Sequence, residues 1–175
     1  MTRGMTFAIA DRRVFRLGLI LLVAIIVADQ VSKAIMMSVL EPHPYGISIL
    51  PVFSLVTAWN RGVSFSQLRG LPPEVLSGFA ILVSIALIYW LSRVETKLIA
   101  IGIGCVAGGA LGNVIDRLRF GAVFDFLDFY LRTGSGWQWH WPAFNLADTA
   151  ITIGVFLLLF DGLFHRVDRA KTEHS

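Results

Sequence analysis

The sequence predicts an all-α polytopic membrane protein: four transmembrane helices with a small outer β element and an interfacial amphipathic segment. Three observations predict it. Of 175 residues, 55% are hydrophobic and 15% charged, less charge than a soluble domain of this length carries. The mean hydropathy is +0.69, and the apolar residues are blocked into long runs rather than spread at helical or strand periods. Lys and Arg also gather at the ends that would face one side of a bilayer. The chain reads as a single domain, residues 1–175.

A bilayer span needs ~20 mostly apolar residues, and residues 14–37, 75–90, 98–115 and 144–164 meet or approach that length. The first is interrupted by Asp29 and Lys33, and the second is short. Arg12, Arg13 and Arg16 ahead of an apolar run, with Ser32 and Ala34 beyond it, also fit a cleaved signal peptide. Ile35, Met36 and Met37 resume the apolar character, which favours a retained span. Residues 47–67 form the β element: Phe53, Leu55 and the β-branched Val52, Val56 and Thr57 suit a strand. "NRG" then supplies a turn, and Val63 to Gln67 a return strand. Pro72, Pro73 and Glu74 open span two as a helix start should.

In span three Gly104, Gly108 and Gly112 recur every four residues, so one face admits a closely packed neighbour. The single cysteine, Cys105, lies among them; a thiol buried in apolar surroundings is inert, and its expected role is packing. Beyond span three, Phe126, Leu127, Phe129, Tyr130 and Leu131 form the interfacial amphipathic segment. Trp137, Trp139 and Trp141 read as an aromatic belt, with His140 as a hydrogen bonder inside it. Span four runs from Pro142, which sets Asp148 ~9 Å below its start.

With both termini inside, Arg3, Arg12, Arg13, Arg16, Arg93, Lys97, Arg166, Arg169 and Lys171 lie on the cytoplasmic side, at higher density than the cations outside. The pI of about 9.4 therefore reads as topology, with no nucleic-acid footprint.

That orientation brings the costly polar groups to one depth at the outer face. Asp29 and Lys33 are four apart on one helix face, acid before base. Asn113, Asp116 and Arg117 end span three, Asp125 follows, Asn145, Asp148, Thr149 and Thr152 stripe the start of span four, and Asn60 and Arg61 sit on the β element. Asp161 is the exception, expected to face water near the inner end. Charges within a span cost ~2.5–3.5 kcal/mol each on insertion scales and face a cavity or partner. Five or more at one level suggest a site.

The histidines at 43, 140, 165 and 174 are scattered and show no zinc spacing with cysteine, so neither a metal nor a cofactor is expected. "GVSFS" lacks the last glycine of a nucleophile elbow. Ser32 or Ser64 with Lys33 makes a weak Ser–Lys candidate, because adjacent helical residues point apart. Aspartate is what remains abundant. Two carboxylates sharing one proton can activate water and protonate a leaving amine, and Phe124 and Phe126 would help keep Asp125 protonated. The residues alone leave the pair open among Asp29, Asp116, Asp125, Asp128 and Asp148. The alternative, a small proton-coupled transporter, needs polar groups through the full membrane thickness, whereas these cluster at one face.

"DQVSK" (from Asp29), "NRGVSF" (from Asn60), "GNVIDR" (from Gly112), "VFDF" (from Val123) and "FNLAD" (from Phe144) occur in that order. Together they resemble the blocks of bacterial lipoprotein signal peptidase, or signal peptidase II. The resemblance implies an aspartic endopeptidase of the bacterial inner membrane. It would remove signal peptides from diacylglyceryl-modified prolipoproteins, cutting before the lipidated cysteine, with its site near the periplasmic face. It implies Asp125 and Asp148 as the catalytic pair, with Asp29, Lys33, Asn60, Gly62, Asn113, Asp116, Arg117 and Asn145 framing the site or binding substrate and inhibitor. Membrane lipids and globomycin-type inhibitors are the further partners implied, and residues 47–67 match a periplasmic β-cradle. Ser64 stands where the family more often has alanine. For Asp116 and Arg117 the plain alternative is a structural ion pair, and a framework role is preferred to direct catalysis; Asp29 and Lys33 line the site or pair on their helix face, and Asp128 is expected to be an exposed interfacial carboxylate.

Overall fold

The computed structural model describes residues 10–62, 72–132 and 138–172. Among these, four helices are long and apolar enough to cross a membrane: α1 (Arg12–Leu40), α2 (Pro73–Leu91), α3 (Lys97–Phe120) and α4 (Leu146–Thr172). Asp11 caps α1 by accepting from the backbone N–H of Arg13 and Val14, as an N-cap aspartate does. Pro73 begins α2 with Glu74 behind it. α3 stops at Gly121, whose φ of 70° suits glycine and whose N–H caps Arg117 O at 2.9 Å.

α3 is the central helix, packed against α1, α2 and α4. The predicted glycine stripe is the seam with α1: a Cβ at Gly104 would lie 2.7 Å from Gly18 O, and one at Gly108 2.8 Å from Leu22 O. A second small-residue seam meets α4, where a Cβ on Gly154 would lie 2.6 Å from Gly102 O. Val14, Leu91, Val94, Ala100 and Ile103 close the end where α1 and α3 begin. Cys105 is buried in α3. Asp161, expected to face water, is instead 8% exposed. Its spacing from Ala147, Ala150 and Gly154 puts it on the buried stripe of α4.

At the other end lies a four-stranded antiparallel sheet in the order β1 (Ile47–Leu50), β2 (Phe53–Asn60), β3 (Val123–Arg132), β4 (Gln138–His140). The expected β element is thus present as β1 and β2, while the return strand at residues 63–67 and Ser64 lie outside the described residues. The stretch expected to be an interfacial amphipathic segment is part of β3. Ala58 pairs with Asp125, Leu55 with Leu127 and Phe53 with Phe129, and Phe144 bridges to Leu127 on the other side. Phe124 and Phe126 pack on Leu40 at the end of α1, which fastens the sheet to the bundle.

Candidate active site

The end of α3, the start of α4, a face of α1 and strands β2 and β3 meet where the sheet joins the bundle. Lys33, buried on α1, sends its Nζ to Asp29 Oδ2 at 2.8 Å and Asp116 Oδ2 at 2.8 Å, and to Asn113 Oδ1 at 3.0 Å. Both carboxylates are almost completely buried. A buried charge is tolerated when paired and hydrogen-bonded on its remaining lone pairs, and these are. Asp116 Oδ2 accepts from Phe124 N at 3.1 Å, and Asp29 Oδ1 accepts from Ala147 N at 3.0 Å. Phe124 immediately precedes Asp125, and Ala147 immediately precedes Asp148. The buried triad therefore grips the backbone one residue ahead of each of those two aspartates. Asp116 takes Lys33 as its partner, while Arg117 donates to carbonyls: Gly62 O at 3.2 Å and Asn113 O at 3.4 Å.

Asp125 and Asp148 come together through two amides. Asn145 Nδ2 donates to Asp125 Oδ1 at 2.7 Å and to Asn113 Oδ1 at 3.1 Å. Asn113 Nδ2 donates to Asp148 Oδ1 at 2.8 Å. Asn60, at the end of β2, reaches Asp125 Oδ2 with its Nδ2 at 3.2 Å, and its Oδ1 accepts from Gly62 N at 3.0 Å, which bends the chain at "NRG". Burial pushes the Asp125 carboxyl up to about 7, with the Asp148 charge adding to the rise and the Asn60 and Asn145 amides opposing it.

Asn145 and Asp148 also start α4. Asn145 Oδ1 accepts from Asp148 N at 3.0 Å, and Asp148 Oδ2 accepts from Asn145 N at 3.3 Å, a reciprocal capping box. The helix therefore begins at Leu146 rather than Pro142, and Asp148 lies in its first turn, above the depth the sequence suggested.

The structure thus gathers Asp29, Lys33, Asn60, Gly62, Asn113, Asp116, Arg117, Asp125, Asn145 and Asp148 into one connected region. It corrects Asp128. Three residues beyond Asp125 its side chain lies on the opposite sheet face, 6% exposed, held by His140 Nδ1 at 2.9 Å. His140 is the hydrogen bonder expected. Ser32 Oγ donates to Asp29 O at 2.8 Å, turned back along its own helix. The residue missed is Gln30. Its Nε2 lies 2.9 Å from Asp116 Oδ1 and 3.2 Å from both Asp29 Oδ2 and Gly112 O, and Arg119 donates to its Oε1 at 3.3 Å. An amide beside Asp29 and three residues before Lys33, on an otherwise apolar helix, was the available signal.

Buried carboxylates thus gather at the sheet-facing end of four helices that are long and apolar enough to cross a membrane. The family model described as signal peptidase (SPase) II matches residues 21–164. The lipoprotein signal peptidase of Rhodopseudomonas palustris is 41% identical over 152 residues, 85% of this chain and 92% of that protein. That of Nitrobacter hamburgensis is 40% identical over 164 residues, 89% and 96%. A solved bacterial membrane enzyme superposes with a TM-score of 0.72 at 27% identity, covering 86% of this chain and 90% of its own. The chain belongs to the signal peptidase II family, and with it to the multi-pass membrane proteases.

Proposed function

We propose that this chain is an aspartic endopeptidase that cuts diacylglyceryl-modified prolipoproteins before the lipidated cysteine, using water held between Asp125 and Asp148. The observation that carries the reading is the convergence of these two carboxylates, from β3 and from the first turn of α4, on the shared amides of Asn113 and Asn145. Close carboxylates split their pKa values, so one serves as base while the other holds a proton. The rise of Asp125 to about 7 suits a group that keeps its proton near neutrality. Asp29, Lys33 and Asp116 hold the backbone before each aspartate, and Asn60, Gly62 and Arg117 border the pair where substrate and globomycin-type inhibitors would enter. The Lys and Arg distribution supports cytoplasmic termini and a site near the periplasmic face of the inner membrane. A bilayer site also fits a substrate whose reacting residue carries lipid.

The test is cleavage of a lipid-modified prolipoprotein by purified protein, followed by gel shift. Asp125→Asn and Asp148→Asn should each lower turnover by ~1,000-fold or more, and the double variant should be little worse than either, because the pair acts as a unit. Asp128→Asn, on the opposite sheet face, should retain activity. Full activity in Asp148→Asn, or inactivity confined to Asp128→Asn, overturns the assignment.

A further inference from the structure

The dyad reading leaves open which aspartate carries the proton, and the amides around it are not free to turn. Lys33 Nζ is only a donor and lies 3.0 Å from Asn113 Oδ1, which also accepts from Asn145 Nδ2. Asn113 must therefore present N–H to Asp148, 2.8 Å away. Around the pair stand Lys33 and Asp29 from α1 and Asp116 and Arg117 from α3, two acids and two bases whose formal charges cancel. Local dipoles then break the tie. Asp148 occupies the first turn of α4, where the helix dipole favours a negative charge. Asp125 sits in a strand, and sheets carry only small net dipoles.

We propose that Asn113, oriented by Lys33, is the positioning residue that holds Asp148 as the ionised base and leaves the dyad's proton on Asp125. This rests on the aspartic reading above. In the step it implies, the oxygen of a water bonds to the scissile carbonyl carbon as one of its protons passes to Asp148. The Asp125 proton passes to the carbonyl oxygen, which gives a gem-diol. On collapse the C–N bond breaks, the amine takes the proton from Asp148, and Asp125 recovers one hydroxyl proton. Both carboxyls return to their starting states. The rise of Asp125 to about 7 through burial agrees with this order.

The assignment predicts which limb of the pH profile each amide controls. With a diacylglyceryl-cysteine lipopeptide as substrate and the full chain in detergent, kcat/KM should be bell-shaped, because it reports the free enzyme's acid and base. Asn113→Ala weakens the hold on the Asp148 carboxylate. It should move the acid limb upward by about one pH unit and leave the alkaline limb in place. Asn60→Ala removes a donor to Asp125 and should move only the alkaline limb upward. Should Asn113→Ala fail to fold, Asn60→Ala on the strand still decides. Exchange of the two limbs between the variants, or an acid-limb shift in Asn60→Ala, overturns the proton placement while leaving the dyad intact. Loss of the dyad reading itself shows separately, as activity persisting in Asp125→Asn and Asp148→Asn.

Discussion

The two ends of the bundle are built on opposite rules. Where α1 and α3 begin, Val14, Leu91, Val94, Ala100 and Ile103 meet as an apolar plug, and Ser92 bonds back to Tyr89 O at 2.7 Å. At the sheet end, Asp29, Lys33, Asn113, Asp116, Asp125 and Asn145 are all buried and bonded to one another across α1, α3, β3 and α4. The apolar end is held by close packing and dispersion, individually small and collectively large. The polar end is held by directional contacts that offset a large desolvation cost only while every member is present. The apolar end tolerates change gradually; the polar end is most vulnerable at Lys33, whose loss leaves two buried acids unpaired.

Removing one member of the polar end should therefore have the largest effect on stability. Lys33→Met leaves Asp29 and Asp116 facing each other without a cation, and breaking a buried pair costs ~3–5 kcal/mol. Thermal unfolding in detergent should show a large drop; a near-native midpoint would mean the charges are solvated.

Asp125 sharpens the comparison, because here the burial of an ionisable group opposes stability. Its folded-state pKa is raised, so between about 4 and about 7 the folded chain binds more protons than the unfolded one. Stability from this group is thus lost as pH rises through that window, by about 2–3 kcal/mol between pH 5 and pH 8. Asp125→Asn, which cannot ionise, should gain on the parent protein as pH rises. A stability difference independent of pH would show that Asp125 ionises freely.

Overpacking the glycine seam should do less. A Cβ at Gly108 would lie 2.8 Å from Leu22 O and 3.1 Å from Ile25 Cβ. Gly108→Val should cost ~1–3 kcal/mol, and the folded fraction should keep its turnover. Loss of turnover without loss of stability would tie the seam to the chemistry.

The helices were legible because a bilayer span announces itself by local hydropathy. Their ends were less so. α3 continues to Phe120, past the apolar run ending near Ile115, because Lys33 and Phe124 N satisfy Asp116 and the terminal nitrogens of Arg117 donate to Gly62 O and Asn113 O. α4 starts at Leu146 because the Asn145–Asp148 capping box, an N-x-x-D pattern, overrides Pro142 as the start. β3 was missed for a different reason. "VFDFLDFYL" is apolar on both faces, so it lacks the alternation that marks a half-exposed strand, and its partner β2 lies some sixty residues away in sequence. The polar residues of the site could be collected by depth, since each is conspicuous in an apolar chain. Their pairing could not, because Asp116 choosing Lys33 over Arg117 depends on how α1 and α3 face each other.

The Asn145–Asp148 cap has a consequence for biogenesis. A nascent chain that has inserted α1, α2 and α3 and formed β3 already carries Asp125, the buried triad and Asn113. It lacks Asp148 and the amide that links the two acids until the last helix nucleates. Because Asp148 itself helps nucleate that helix, hydrolysis on the dyad reading and completion of the bundle become a single event. A half-inserted copy would be silent toward its neighbours in the bilayer.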